Sequence, residues 1–398
     1  MEKIKIAFRS GSLRMGGLER ILIEILKEID KDKYEITLFI EDDCGEENVF
    51  EKDIPKEIDY YFLKSKELID LTKSVKEKKK NLFYKLHYNI LMSYEKVVAR
   101  KKMKEILKLK EGIEVLIDFD SGLAKDIHRF YNFKKITWIH NSVPKLKVRK
   151  DKIERFGKRL KNYDRIVAIC DDMKTELEDI YPYLEGKITR IYNGYNFDEI
   201  IKLSLEENNM SEKEVEMLNS DYILAISRLD TLQKDYETLI KGYSLARGKG
   251  FSKNLYIIGS GPDKEKICSW IKKYQLEDSV FLLGRKKNPY VWMKNCYFFV
   301  HSSKYEGFGL VLLEAQILGK VVVSSNCPVG PREILVDGRS GPLVGVGNEY
   351  ELSEAFMKLM KAEELGKFLS PLKESRERFR MKKIMNDIEN LIDEVISL

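Results

Sequence analysis

The chain has 398 residues, enough for two or three domains, and is 43 % apolar and 34 % charged. That composition excludes a disordered chain, and no apolar run approaches the roughly 20 residues of a membrane-spanning helix. Lys and Arg number 71 and Asp and Glu 65, but the net charge of +6 is lopsided: 73–110 carries +10, 134–165 carries +9, and the rest sums to −13. The five cysteines (Cys44, Cys170, Cys268, Cys296, Cys327) are scattered without a CxxC pair, and there are four histidines. Neither a disulfide framework nor a zinc or histidine-rich metal centre is expected. The amino terminus reads as an opening strand rather than a signal peptide, and a cytoplasmic protein is expected.

In chain order, a short apolar strand over 4–8 leads into a glycine-bearing turn over 11–17. Leu18, Ile21, Leu22, Ile25, Leu26 and Ile29 then recur at helical spacing. Strands are predicted at 34–40, 114–119, 135–139, 165–169 and 187–192, with mostly helical patterns between. The polar stretch 206–220 reads as a linker with a helical piece. Alternation restarts with strands at 222–227, 255–259, 280–284, 297–301 and 321–324, and helices over 236–242 and 263–274. A charged amphipathic helix over 375–396 closes the chain on either unit. Such alternation predicts βαβ units and parallel sheets. Two sets predict an α/β protein of two facing Rossmann-like domains with a cleft between them, 1–200 (with 375–398) and 201–374. Ligands of open parallel sheets bind beyond the carboxyl ends of the strands, so the motifs of interest are those just after strands.

The most informative segment runs from Tyr305-Glu306-Gly307-Phe308-Gly309-Leu310 to Glu314-Ala315, directly after the strand at 297–301. Its glycines permit close backbone approach, and the helix that follows offers amide donors to a phosphate. Glu314, about one turn into that helix, can accept hydrogen bonds from two vicinal hydroxyls such as those of a ribose, and Glu306 could meet a second polyol. Read by themselves, the two glutamates could equally be a helix-start residue and a solvated one.

These two glutamates, eight positions apart around Gly-Phe-Gly-Leu, resemble the signature of the retaining glycosyltransferase family 4, of GT-B architecture. Five more motifs are similar to that family's, in order: Gly16-Gly17-Leu18-Glu19-Arg20, Asn193-Gly194, Ser227-Arg228-Leu229 with Gln233-Lys234-Asp235, Gly259-Ser260-Gly261-Pro262, and Cys327-Pro328-Val329-Gly330-Pro331-Arg332-Glu333-Ile334-Leu335. The last resembles a variant common among bacterial polysaccharide enzymes. The resemblance covers nearly the whole chain and is thinnest over 41–110.

It implies that Arg228 and Lys234 clamp the diphosphate of a nucleotide sugar, offsetting charge that grows on the leaving group. It further implies that Glu314 holds the ribose, Glu306 the transferred sugar, and Gly307, Phe308, Gly309 and Leu310 supply amide donors. Gly259 lies in the family's glycine turn, Arg285 and Lys286 lie where the family meets the base, and Gly16 and Gly17 admit the diphosphate and acceptor. His140, after the strand at 135–139, matches a family histidine beside the reacting sugar; a satisfied core histidine is the competing reading. Catalytic roles are thus expected for His140, Arg228, Lys234 and Glu306, without a protein nucleophile. No metal and no resident cofactor is expected, the nucleotide sugar (a UDP-sugar) being a co-substrate. The partners implied are that donor and a glycan or lipid-linked acceptor of cell-surface polysaccharide assembly.

Other signals compete. Asp118-Phe119-Asp120 is a DxD, which in another glycosyltransferase architecture binds a divalent cation; here it ends a first-domain strand and reads as a loop start. The turn over 11–17 lacks the Lys-Ser/Thr of a P-loop, and no GxGxxG is present. The basic segment 73–110 interleaves lysines with Leu82, Phe83, Leu86, Ile90, Leu91, Tyr94 and Val97. Such a pattern suits an anionic membrane surface at the inner face of the plasma membrane, or a solvated helix over an ordinary core. The second basic cluster, 145–161, is placed on the acceptor side. No nucleic-acid motif accompanies the charge, so no nucleic-acid partner is expected. A nucleotide-sugar phosphorylase or epimerase, or a non-catalytic nucleotide-binding relative, are the alternative functions.

Overall fold

The computed structural model describes residues 2–207 and 210–398, so Asn208 and Asn209 of the expected linker lie outside the described residues. Two compact units are present. One comprises Met1–Ile169, Lys174–Tyr195 and Met381–Leu398, the other Cys170–Met173 and Asn196–Arg380.

The first unit is built on seven strands: β1 (Ile4–Ser10), β2 (Tyr34–Asp42), β3 (Asp59–Lys64), β4 (Val115–Asp118), β5 (Lys134–Ile139), β6 (Arg165–Ala168) and β7 (Ile188–Arg190). Every ladder is parallel and the order is β3-β2-β1-β4-β5-β6-β7. Strands covered on both faces need continuous apolar runs, and Ile6–Phe8 and Leu116–Ile117 are 0–1 % exposed for that reason. Sequence reading passes over β3, an edge strand whose Asp59 and Tyr60 face water and weaken its apolar signal.

The second unit has six parallel strands, β8 (Tyr222–Ile226), β9 (Asn254–Ile258), β10 (Val280–Gly284), β11 (Phe299–His301), β12 (Val322–Ser325) and β13 (Leu343–Val344). Their order is β10-β9-β8-β11-β12-β13. Its core gathers Ile223, Leu255, Val300 and Val323 from the strands with Leu239, Tyr243 and Phe356 from the helices. β13, of two residues, is too short to leave a pattern in the sequence. In the expected linker, the helix Glu212–Leu218 starts at a capping box in which Ser211 Oγ accepts from the Glu214 amide and Glu214 accepts from the Ser211 amide.

The chain enters the second unit after Tyr195 rather than at 200, because Phe197 and Ile200 are already buried against that unit's helices. The terminal helix expected over 375–396 is likewise two pieces. A helix ends at Arg376, a 3-10 turn spans Glu377–Phe379, Arg380 is extended, and the last helix is Met381–Ser397. The first piece belongs to the second unit: Arg376 donates to the carbonyls of Gln316 (3.0 Å) and Ile317 (2.6 Å), and Phe379 packs on Phe308. The apolar stripe Ile384, Ile388, Leu391, Ile392 and Val395 is buried in the first unit.

Candidate active site

In each sheet the strand order reverses once, between β1 and β4 and between β8 and β11. Chain segments leave such a point in opposite directions, opening a crevice beyond the carboxyl ends. In the second unit that crevice is flanked by the segment after β8, with Arg228 and Lys234, and by the segment after β11, with Glu306. A backbone bridge from Lys234 to Ser303 and the Asp235 amide donating to the Ser302 carbonyl (2.9 Å) draw the two together.

Glu306 is the centre of this arrangement. Its amide donates to the Pro328 carbonyl (2.7 Å), and its side chain is 8 % exposed. One carboxylate oxygen, Oε1, receives Lys234 Nζ, His301 Nε2 at 2.8 Å and Ser303 Oγ at 2.7 Å. Burial by itself would raise this carboxyl, but the His301 hydrogen bond and the Lys234 charge outweigh it and hold Glu306 well below the usual carboxylate range. Burial and Lys234 lower His301, so it is neutral and donates through Nε2–H. With three donors gathered on Oε1, Oε2 is the acceptor left for an incoming hydroxyl.

Arg228, by contrast, is 64 % exposed, with its guanidinium on Asp230 at 2.7 Å. It is a cation at the crevice mouth that an anion can take over at small cost, since exposed ion pairs contribute little. The helix Leu310–Ile317 starts at Gly309, and half-buried Glu314 on its first turns accepts from Tyr290 Oη at 3.2 Å. Gly307, Phe308, Gly309 and Leu310 thus form the entry to a helix whose first amides have no partners within the helix.

Two glycines of the motifs act by close packing. A Cβ at Gly259 would stand 1.9 Å from the Ser227 carbonyl, so this glycine turn seats the Arg228 segment. At Gly330, φ is +97° and a Cβ would stand 2.2 Å from the Phe308 carbonyl. Gly330→Ala is therefore expected to displace the Glu306–Gly309 segment and to cost about 1–3 kcal/mol of stability through backbone strain, which urea unfolding would measure.

The remaining expected residues are placed elsewhere. Lys286, after the edge strand β10, pairs with Glu214 at 2.6 Å and lies over Trp292; this pair, with the Ser211 amide and hydroxyl, holds Glu214 down to about 2. Arg285 beside it is exposed. In the first unit, Gly16 caps the helix Gly17–Glu28 in an extended conformation, and Ser12 Oγ donates to Glu19 (3.1 Å) beside it. His140 follows β5; burial lowers its pKa to about 4 against the pull of the Phe119 carbonyl, which accepts from Nε2 at 2.7 Å. The neutral ring therefore carries its proton on Nε2 and presents Nδ1 as an acceptor.

The DxD aspartates are engaged by a cation that the sequence reading did not connect to them. Arg9, at the end of β1, reaches Asp118 at 3.4 Å, Asp120 and Glu41, and Tyr163 Oη donates to Asp118 at 2.5 Å. His301, Ser303 and Tyr290 are the site neighbours that sequence reading missed. The only signal for the first two was polar residues at the end of an apolar strand.

An α/β chain of two parallel sheets, with a cation–carboxylate pair at a strand-order switch and a glycine-led helix beside it, is a protein of GT-B architecture. HepE of Anabaena, solved with UDP, superimposes with a TM-score of 0.74 at 17 % identity, covering 98 % of this chain and 100 % of HepE. Sucrose-phosphate synthase of Thermosynechococcus elongatus gives 0.75 at 16 % identity, covering 99 % and 100 %. At these identities the likeness speaks for the fold.

Residues 15–199 match Glycosyltransferase Family 4 and residues 206–380 match Glycosyl transferases group 1; the chain belongs to this glycosyltransferase family. It is 31 % identical over 229 residues to the N-acetylgalactosamine-N,N'-diacetylbacillosaminyl-diphospho-undecaprenol 4-alpha-N-acetylgalactosaminyltransferase of Campylobacter jejuni, matching 56 % of this chain and 60 % of that protein. The capsular polysaccharide biosynthesis glycosyltransferase CapM of Staphylococcus aureus is 27 % identical over 205 residues, 50 % of this chain and 53 % of CapM. The matched stretches thus span little more than half the length of these relatives.

Proposed function

We propose that this protein is a retaining, metal-independent glycosyltransferase. It moves a hexosyl or N-acetylhexosaminyl unit from a UDP-sugar to a hydroxyl of a glycan or lipid-linked acceptor, in cell-surface polysaccharide assembly. The observation that carries the reading is the buried Lys234–Glu306 pair at the β8/β11 switch, with exposed Arg228 beside it. Arg228 and Lys234 take the diphosphate and offset the charge that grows on it as the sugar–oxygen bond breaks, which lowers the barrier rather than merely tightening binding. Glu306 Oε2 accepts from a hydroxyl of the sugar, Glu314 from the ribose, and the amides of 307–310 face phosphate or sugar. Gly16, Gly17 and His140 are assigned to the acceptor side, with Nδ1 of His140 a hydrogen-bond acceptor rather than a charged group. Gly259 acts indirectly, by seating Arg228, and Arg285 and Lys286 lie toward the base.

The activity for which the Campylobacter relative is named, transfer to a diphospho-undecaprenol-linked sugar, supports a lipid-linked acceptor; the basic, apolar segment 73–110 is then assigned to the inner face of the plasma membrane. The test is incubation with labelled UDP-sugars and lipid-linked or glycan acceptors, with and without EDTA. Transfer that survives EDTA and yields a product of unchanged anomeric configuration is the expected result. Phosphate-dependent cleavage, or isomerised donor without transfer, would show a phosphorylase or an epimerase instead.

A further inference from the structure

The helix Leu82–Leu109 has two apolar faces and only one is covered. At 100° per residue, Leu91, Ala99, Met103 and Ile106 share one side, and these are buried. Leu82, Phe83, Leu86, Ile90, Tyr94 and Val97 share the opposite side, and their exposure runs from 80 % at Leu82 to 50 % at Val97. Leu91 is thus not part of the face that sequence reading gave it. Beyond Val97 the exposed side continues as Lys101, Lys104 and Lys108.

A second element of the same unit has this character. In Lys145-Leu146-Lys147-Val148-Arg149-Lys150, Leu146 is 61 % and Val148 86 % exposed. Lys125 is within electrostatic reach of Lys96 on the helix, of Lys147 in the loop and of Arg155 and Arg159, and Lys147 is within reach of Lys152. Lys96, Lys125, Lys147 and Lys152 form no ion pair among the described residues, and Asp126, beside Lys125, is taken by Arg100 and Arg129. These cations repel one another. Lys96, burial and Arg159 lower the Lys125 pKa, and burial, Arg159, Lys125 and Lys152 lower that of Lys147.

We propose that the exposed stripe and the 145–150 loop form one lipid-binding surface: the apolar side chains enter the interface of an anionic bilayer, and the cation cluster that links them meets its phosphates. This deepens the membrane placement proposed above and adds a second inserting element to it. Asp126 and Asp151 are the carboxylates near these cations and each is already shared by two arginines; the excess like charge is relieved by an anionic surface, and aliphatic residues flanking lysines are the composition of an interfacial segment. A second copy of the chain fits less well, because twofold pairing of this face would set the cation cluster against itself.

The experiment is flotation of the full chain with phosphatidylcholine vesicles and with vesicles containing about 30 % phosphatidylglycerol. The wild type is expected to float with the anionic vesicles only. Phe83→Ser/Leu86→Ser/Ile90→Ser and Leu146→Ser/Val148→Ser should each weaken binding at least about tenfold, and Lys125→Glu/Lys147→Glu should abolish the anionic preference. Unchanged thermal unfolding and an unchanged UDP-induced shift would show that the variants are folded and that donor binding is separate. Failure of the wild type to float, equal flotation on neutral vesicles, or a loop variant that floats like wild type would overturn the proposal. So would a wild-type dimer that the stripe variant converts to monomer. A UDP-induced shift retained in those cases would leave the glycosyltransferase reading standing.

Discussion

Lys234→Ala is expected to lower kcat/KM for sugar transfer by about 100- to 1,000-fold, the loss typical of removing one preorganised charge stabiliser. Two effects combine. In the proposed reaction the diphosphate loses a cation where charge grows, and Glu306 loses one of the two partners that offset its burial. The second effect has a signature in pH. With Lys234 and His301 in place Glu306 stays ionised well below the usual carboxylate range, so it sets no acid limb near neutrality. Without Lys234 only His301 is left to offset the burial penalty, and the Glu306 pKa rises. An acid-side fall in kcat/KM should then move toward neutral pH, and profiles between about pH 5 and pH 8 would record it. Glu306→Ala should cost a similar factor without that shift. If both variants transfer sugar at the wild-type rate, the assigned site is wrong.

Arg9→Met is expected to destabilise the first unit by about 3–5 kcal/mol at pH 8, the cost of leaving a buried charge without its partner. Arg9 and Lys64 are the cations of a network holding Glu41, Asp42, Glu95, Asp118 and Asp120, two positive groups against five carboxyls. Burial raises Asp118 to about 7 despite Arg9, and Asp120 adds to the push. A folded pKa above the unfolded value of about 3.9 means that its contribution is fully present at low pH and is lost as pH rises through about 7. Removing Arg9 raises the folded value further, so near pH 6 the carboxyl is neutral and the deficit should shrink. Urea unfolding at both pH values, followed by hydrogen exchange of the β1 and β4 amides, measures this. A deficit independent of pH would contradict the assignment.

How much of this was legible in advance follows the range of the interactions. Strand–helix alternation and the motif order announce two parallel-sheet units, because backbone preference and apolar periodicity are local properties. The site was legible where its chemistry is local too: Gly309 at a helix entry, Glu314 one turn on, Arg228 just past a strand. Glu306 shows where that legibility stops. Its residue type and position were readable, but Lys234 lies 72 positions away, and only the β8–β11 neighbourhood sets it on the same oxygen as His301 and Ser303. The DxD was readable as two aspartates but not as partners of Arg9, more than 100 positions earlier.

The same division applies to the uneven charge. The sequence by itself determined that the basic residues concentrate in two first-unit segments and that one of them carries apolar residues at helical spacing. It could not decide which of two apolar stripes on that helix is buried, since both satisfy the same period. Tertiary packing decided it by covering Leu91, Ala99, Met103 and Ile106, and so left Leu86 and Ile90 facing water. Periodicity records which residues share a face, whereas burial depends on what the rest of the chain lays against it.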